Sequence, residues 1–375
     1  MASDIASAYT RLLEVNAAAG ELIAQLSDVE PVAISFFASH HHDGAALSAR
    51  LRQVFPRAAV IGCTTAGELT QEAWLSGSVS ALALGRGKVR AAAAALARFD
   101  QGVAAGIASA GEQLSTAMAL ELRQADPCRY VGVVLVEGLR MHEEAANDAL
   151  GNLAPTVSFV GGSAGDDGEF KRTRVFCNGE ESDNGAALLL LDAAVPFVVT
   201  KTCSFEPASA DFPVTRVDVE KRIVYEIDGR PVLEVYAELV GVAKSALDDR
   251  VFMAHPFGLM IDGKPWIRSP QRVLPDGGLK FYCQILEGMR VHVMRSIGLV
   301  ADTRRELSQV RARLGGSMSG GLAFNCILRR KEIDAMQTQA AFIESFAGLQ
   351  MAGFHTYGES WLGHINQTFT GLWFA

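Results

Sequence analysis

The sequence predicts a mixed α/β (α+β) protein of two domains, with mixed β-sheets covered by helices and a β-α-β unit that repeats. Three observations predict it. The frame G-x-x-T-x-G-E is written twice, as "GCTTAGE" at Gly62–Glu68 and as "GFHTYGE" at Gly353–Glu359. Strand-like runs alternate with helical periodicity towards both ends of the chain, whereas the middle reads as strands punctuated by Asp-Gly turns. A chain of 375 residues is also longer than one ordinary core accommodates.

Residues 5–26 place Ile5, Leu12, Leu13, Ile23 and Leu26 at helical spacing, which predicts an amphipathic helix. "PVAISFFAS" then predicts a buried strand, "GAALSARLRQVF" a helix ending at Pro56, and "AAVIGCTTAGEL" a strand running into a turn. "SVSALALG" alternates like a further strand. The order returns with the strand "YVGVVLVEGL", the helix "HEEAANDALGNL" and the strand and turn "TVSFVGGSAGDD", followed by the strands "RTRVFCNG" and "GAALLLLD". A third pass closes the chain: "GGLAFNCILR", the helix "AFIESFAGL", "QMAGFHTYGE" and "HINQTFTGLWF". Between the second and third passes, Asp228-Gly229, Asp262-Gly263 and Asp276-Gly277 mark hairpins. That change of pattern predicts an N-terminal domain over 1–220 and a C-terminal domain over 221–375.

The three passes share the pattern [ST]-x-G-[DE], at Thr65–Glu68, Ser163–Asp166 and Thr356–Glu359. The hydroxyl can bond a backbone amide in the turn. The glycine tolerates positive φ. The carboxylate can accept from backbone N–H groups or from a ligand. A right-handed crossover makes the two strands of each unit parallel, so their C-terminal ends share one sheet edge. The turns, together with His40–Asp43, His142 and Glu143, then collect where open α/β sheets bind ligands. Three structural turns would account for the same pattern.

Composition narrows the function. The chain is 49% hydrophobic and 20% charged, with net charge −8 and no basic block. Nucleic acid and anionic membrane surfaces are therefore not expected as partners. Six cysteines stand singly, which argues against a zinc ribbon and covalent c-type haem. No signal-peptide pattern and no membrane-length apolar run occurs, so a cytoplasmic location is expected. The run His40–His42 could bind a metal, although adjacent histidines rarely point at one ion. Cys63 could act as a nucleophile with a histidine from the edge. No triad motif accompanies it, and the other copies carry Gly161 and Phe354 at its position. "VGGSAGDDG" matches neither G-x-G-x-x-G nor G-x-x-x-x-G-K-[ST], which argues against a nucleotide loop.

The segments "VIGCTTAGE", "VGGSAGDD", "YEIDGRPVLEVY", "HPFG" followed by "IRS", "DGGL" and "TYGE…HINQTFTG" occur in that order over nearly the whole chain. Together they resemble the FIST family, intracellular sensory proteins with N- and C-terminal FIST domains. The resemblance implies a non-enzymatic, two-domain sensor of a small ligand such as an amino acid. In length and in its "HINQT" ending the chain is also similar to stand-alone FIST proteins described as haem-binding nitric-oxide sensors. Those act on partner histidine kinases or cyclic-di-GMP enzymes.

That similarity implies haem b held by one side chain, most often a proximal histidine. It also implies a gas signal passed to a separate histidine kinase or diguanylate cyclase/phosphodiesterase, and a homo-oligomer is compatible with it. His364 is the first candidate for the iron, with Asn366 and Thr368 beside it to orient the ring. His355 is the second, standing where the other copies carry Thr64 and Gly162. Asn325, Tyr357 and Arg268 complete the candidate cofactor-binding set, Arg268 as a bidentate partner for a carboxylate or haem propionate. The alternative is a haem-free chemosensory or adaptor module that binds an amino-acid-like ligand at the same edge. A Cys63-dependent enzyme is a third reading.

Overall fold

In the computed structural model, which describes residues 4–375, all three strand-helix-strand units form. Each pairs its two strands in parallel. Pro31–Ala38 lies against Ala59–Thr64, Tyr130–Val136 against Ser158–Ser163, and Gly320–Cys326 against Gln350–Thr356. Matching registers, Ala38 with Thr64, Val136 with Ser163 and Cys326 with Thr356, bring the strand ends to one edge in each unit.

The repeat proves longer than β-α-β. In each unit a final strand joins the sheet antiparallel to the parallel pair, and an initial strand pairs antiparallel with that final strand: Ile5–Thr10 with Val79–Gly85, Val89–Arg98 with Gly185–Ala193, and Phe197–Thr202 with Phe369–Phe374. The fifth position is filled by a strand from another unit. Val175–Cys177 of the second unit borders the first sheet, Glu68–Thr70 of the first borders the third, and Glu359–Trp361 of the third borders the second. The exchange is cyclic, and strand order is the same in all three sheets.

The expected helix over 5–26 is corrected here. Ile5–Thr10 is a strand, and the helix runs Val15–Leu26 with Glu14 capping it. Leu12 and Leu13, which suggested helical spacing, are exposed between the two elements. Pairing with Val79–Gly85 engages the backbone of Ile5–Thr10, and this tertiary contact overrides local periodicity.

Inner faces of the three sheets meet in one core. Phe37, Phe324 and Phe354 lie at its centre, with Phe37 stacked on Phe354 at 4.8 Å between centroids and Phe324 edge-on to both. Outer faces are covered by Val15–Leu26 and Gly44–Val54 on the first sheet, and by Val103–Met118 and Glu143–Leu153 on the second. Leu299–Arg313, Ile327–Ala335 and Gln339–Glu344 cover the third. Strands buried on both faces read as continuous apolar runs, which is why "YVGVVLV" and "GGLAFNC" do not alternate.

The middle segment is an insertion within the third unit, between Phe197–Thr202 and Leu299–Arg313. It forms a nine-stranded antiparallel sheet with the helices Val232–Val240 and Asp249–Ala254, around its own core of Tyr236, Phe252, Phe257 and Phe281. Asp228-Gly229 and Asp262-Gly263 both adopt positive φ at both residues, as two-residue hairpins of the primed type require. The cut expected at 220/221 falls in the hairpin turn between Phe212–Asp218 and Ile223–Ile227, inside this insertion.

Candidate functional site

The three turns interlock through backbone hydrogen bonds. Ala66 N donates to His355 O (2.9 Å) and His355 N to Gly67 O (2.7 Å), joining the first and third turns. Gly165 N donates to Thr64 O and Asp167 N to Thr65 O, both at 2.9 Å, joining the second and first. Ser163 N donates to Gly358 O (2.8 Å) and Tyr357 N to Ser163 O (3.1 Å), closing the ring. The shared rim expected from the sequence therefore exists.

Its carboxylates take up the first of the two roles expected of them and accept from backbone amides, with hydroxyls beside these. Thr65 Oγ1 donates to Glu68 Oε1, while the amide (3.1 Å) and hydroxyl of Ser78 donate to Oε2. In the third turn Thr356 Oγ1 donates to Glu359 Oε1, and the amide (3.1 Å) and hydroxyl of Thr368 donate to Oε2. Both acids are 0% exposed and turned inward, so neither is open to a ligand. Burial outweighs these hydrogen bonds and pushes both carboxyls up to about 7. Asp166 differs. It accepts from the amides of Phe170 (2.9 Å), Lys171 (2.6 Å) and Arg172 (2.9 Å) and from the Tyr357 hydroxyl, which folds residues 167–172 back over the rim. Ser163 Oγ is buried without a hydrogen-bond partner among the described residues.

A cavity of about 180 Å³ opens where this rim meets the insertion. On the rim side it is lined by Glu143, Phe170, Tyr357 and Asn366, and on the insertion side by Arg222 and Lys280. Tyr357 stacks on Phe170 at 4.7 Å, and its hydroxyl oxygen accepts from Gly168 N at 2.9 Å, so the aromatic wall is held in place. Arg222 donates to Glu143 at 2.7 Å, to Glu144 and to Tyr282 O at 2.7 Å, tying the insertion to the start of helix Glu143–Leu153. Burial raises Glu143, but His364 and then Arg222 outweigh it and hold the carboxyl below its ordinary value. Asn366 is 1% exposed, and both polar atoms of its amide lack a protein partner among the described residues.

His364 adjoins this cavity but does not line it. Both of its ring nitrogens are buried without a hydrogen-bond partner, so Asn366 and Thr368 do not orient it as expected. The ring packs on Gly358, where a Cβ would come within 2.1 Å of Cε1. Burial lowers its pKa. His355 and Asn325 lie elsewhere, in a buried polar chain. His355 Nδ1 is 3.0 Å from Asn325 Nδ2, and its ring lies against Trp74 at 4.4 Å. Asn325 Oδ1 accepts from Arg329 Nε at 3.0 Å, and Arg329 also donates to Ser204 and Thr303. Arg268 ends the strand Lys264–Arg268, donates to its own Ile267 O and stays outside the cavity lining.

Of the five cofactor-binding candidates, Tyr357 alone lines the cavity. Cys63 sits at 0% exposure in the central core, where burial, then the Glu68 charge, pushes the thiol far from reactivity. Arg222, Lys280 and Phe170 were missed. Phe170 follows the second turn closely, but Arg222 and Lys280 come from hairpins whose sequence carries no sign that they face the rim.

The residues present do not fit a haem. Drug-sized ligands take pockets of roughly 300–1,000 Å³, and a porphyrin is no smaller. This cavity is about 180 Å³, and His364 is 4% exposed with its ring closed over Gly358. Titration of the purified protein with hemin should give no stoichiometric, His364-dependent Soret band. A 1:1 band that disappears in His364→Ala would show that the rim opens far enough to admit the macrocycle.

Comparison with known proteins agrees with the architecture. The family model of the FIST N domain matches residues 32–230, and that of the FIST C domain matches residues 233–361. An uncharacterized protein of Methanocaldococcus jannaschii is 24% identical over 180 residues, covering 44% of this chain and 35% of that protein. The match thus spans about a third of that curated relative's length. Among the described residues, no helix is long and apolar enough to cross a membrane. With the two family models covering most of its length, this chain belongs to the FIST family, whose domains are sensor modules of signal transduction.

Proposed function

We propose that the protein senses a small, amino-acid-like molecule held in the cavity between the three-unit body and the insertion. The observation that carries this reading is the Asn366 amide, buried in the cavity wall without a protein partner. Buried amides are nearly always satisfied, and this one has two donors and an acceptor to offer. Around it stand both signs of charge: Lys280, and the ion-paired Arg222 and Glu143. A zwitterion would set its carboxylate towards the two cations and its ammonium towards Glu143. A volume of about 180 Å³ lies below the roughly 300–1,000 Å³ of drug-sized pockets, which suits a small metabolite.

The response follows from what Arg222 already does. Its bonds to Glu143 and Glu144, with Gln284 N donating to Glu144 at 2.8 Å, join the insertion to the body. A ligand carboxylate that engages Arg222 competes with those bonds and changes the balance between two placements of the insertion. The output we propose is a histidine kinase or a diguanylate cyclase/phosphodiesterase that reads this placement. The family's sensory character supports that assignment.

Calorimetric titration with a panel of amino acids and small dicarboxylates tests the reading. At least one member should bind saturably at one per chain, and Asn366→Ala should weaken it about tenfold, the equivalent of one good hydrogen bond to a charged group. A panel without saturable binding, or binding unchanged in Asn366→Ala, overturns it.

A further inference from the structure

A second group of chemically active side chains lies outside the cavity, where the first unit meets the second. The strand Pro31–Ala38 ends in a tight loop, Ser39–His42, just before the helix Gly44–Val54. The second unit's turn docks on the first unit's turn through Asp167 N, which donates to Thr65 O, and it reaches this loop through the Asp167 carboxylate; Asp167 itself adopts φ +57°. That left-handed conformation, which aspartate tolerates better than most residues, aims its carboxylate at the histidine run.

Asp167 Oδ2 accepts from Ser39 Oγ at 2.6 Å and lies 3.0 Å from His40 Nδ1. The His40 and His41 rings are 4.0 Å apart. One ligand atom from each of His40, His41 and Asp167 lies within 4.8 Å of the other two.

We infer that His40, His41 and Asp167 form a binding site for a divalent first-row transition ion of the zinc class. Ligand atoms at about 2.1 Å from such an ion stand about 3.4 Å apart in a tetrahedron, so small side-chain rotations close the set. Two imidazoles and one carboxylate match zinc and its neighbours rather than magnesium or calcium, which take all-oxygen sets. Three protein ligands leave a fourth position for water or an added donor.

Outer partners are also present. Glu169 Oε1 lies 3.6 Å from His40 Nε2, on the side away from Asp167. There it can take the remaining ring proton, as carboxylates behind metal-bound histidines do. Ser39, 0% exposed, anchors the Asp167 carboxylate from beneath. The site pins residues 166–169 to the first unit. The same segment continues into Phe170 on the cavity wall, but the metal assignment does not depend on what the cavity binds.

Zinc chloride titrated into the untagged full-length chain tests this by calorimetry. A Cys128→Ser background removes the exposed thiol as a competing ligand. One zinc per chain is expected, with cobalt(II) giving the visible absorption of a four-coordinate site. His41→Ala and Asp167→Asn should each weaken zinc about 10–100-fold. His41 is exposed, so that variant should fold normally by circular dichroism. Sub-stoichiometric zinc, or zinc binding unchanged in both variants, overturns the assignment.

Discussion

Replacing Glu359 by glutamine should stabilise the protein relative to the wild type by about 3 kcal/mol more at pH 8 than at pH 4.5. The Glu359 carboxyl is 0% exposed, and burial raises it from an ordinary 4.5 to about 7. Between those values the folded protein keeps a proton that the unfolded chain releases. Its contribution to stability is fully present below pH 4.5 and is lost as pH rises through 7. At about 1.4 kcal/mol per pH unit, that interval corresponds to about 3 kcal/mol. Glutamine has the same shape and can still accept from Thr368 and donate to Thr356, but it carries no titrating proton.

Glu68→Gln should behave alike, because Thr65 and Ser78 surround Glu68 as Thr356 and Thr368 surround Glu359. Urea denaturation of wild type and variant at matched pH checks the result. Comparing the two at each pH cancels His355 and His364, which burial holds below 6.5 and which favour folding at higher pH. A flat difference from pH 4.5 to pH 8 would mean that both carboxyls stay ionised throughout.

The second large effect is expected at Arg222. Arg222→Ala removes the hydrogen-bonded counterion of Glu143, which is 3% exposed and is then left with His364 nearby, and one partner of Glu144. Leaving a buried charge uncompensated costs about 3–5 kcal/mol. Glu143→Gln in the same chain should restore part of that loss, since the uncompensated charge is then gone. The coupling between the two substitutions, measured by a double-mutant cycle in urea, should be on the order of 2 kcal/mol. If Arg222→Ala costs less than about 1 kcal/mol and shows no coupling, the insertion is held by its other contacts, and the proposed response of Arg222 to a ligand loses its basis.

How much of this was legible in the sequence depends on how local each feature is. The three parallel pairs and their turns were readable, because strand, helix and [ST]-x-G-[DE] lie within a short stretch of chain. The hairpins were readable from their Asp-Gly pairs. The exchange was not: Glu68–Thr70 and Glu359–Trp361 have three residues each, too few to show a period, and the strand read in "RTRVFCNG", which forms as Val175–Cys177, carries no sign that it borders another unit's sheet. The strand Ile5–Thr10 was hidden by exposed Leu12 and Leu13.

At the site, Tyr357 and Asn366 stand in the closing motif and could be singled out. Arg222 could not, since its partners Glu143 and Glu144 are distant in sequence and brought near only by folding. The inward turn of Glu68 and Glu359 was equally invisible. The frame specifies a hydroxyl and a carboxylate three residues apart, and the Ser78 and Thr368 groups that consume the second oxygen lie outside it. Asp167 sits one residue beyond its own frame, and its relation to the histidine run exists only across two units.

The circular exchange of border strands has a consequence for synthesis on the ribosome. Residues Glu68–Thr70 emerge early, yet their partners, Ala352–Phe354, are among the last to be made. At about 5–20 residues per second, the early segment waits on the order of tens of seconds for its partner strand. No prefix of the chain can close the ring, so a nascent or truncated product keeps a raw sheet margin, the surface that other strands add to. A chaperone that shields such margins until release should therefore govern the yield of this protein more than that of an array whose modules complete themselves one at a time.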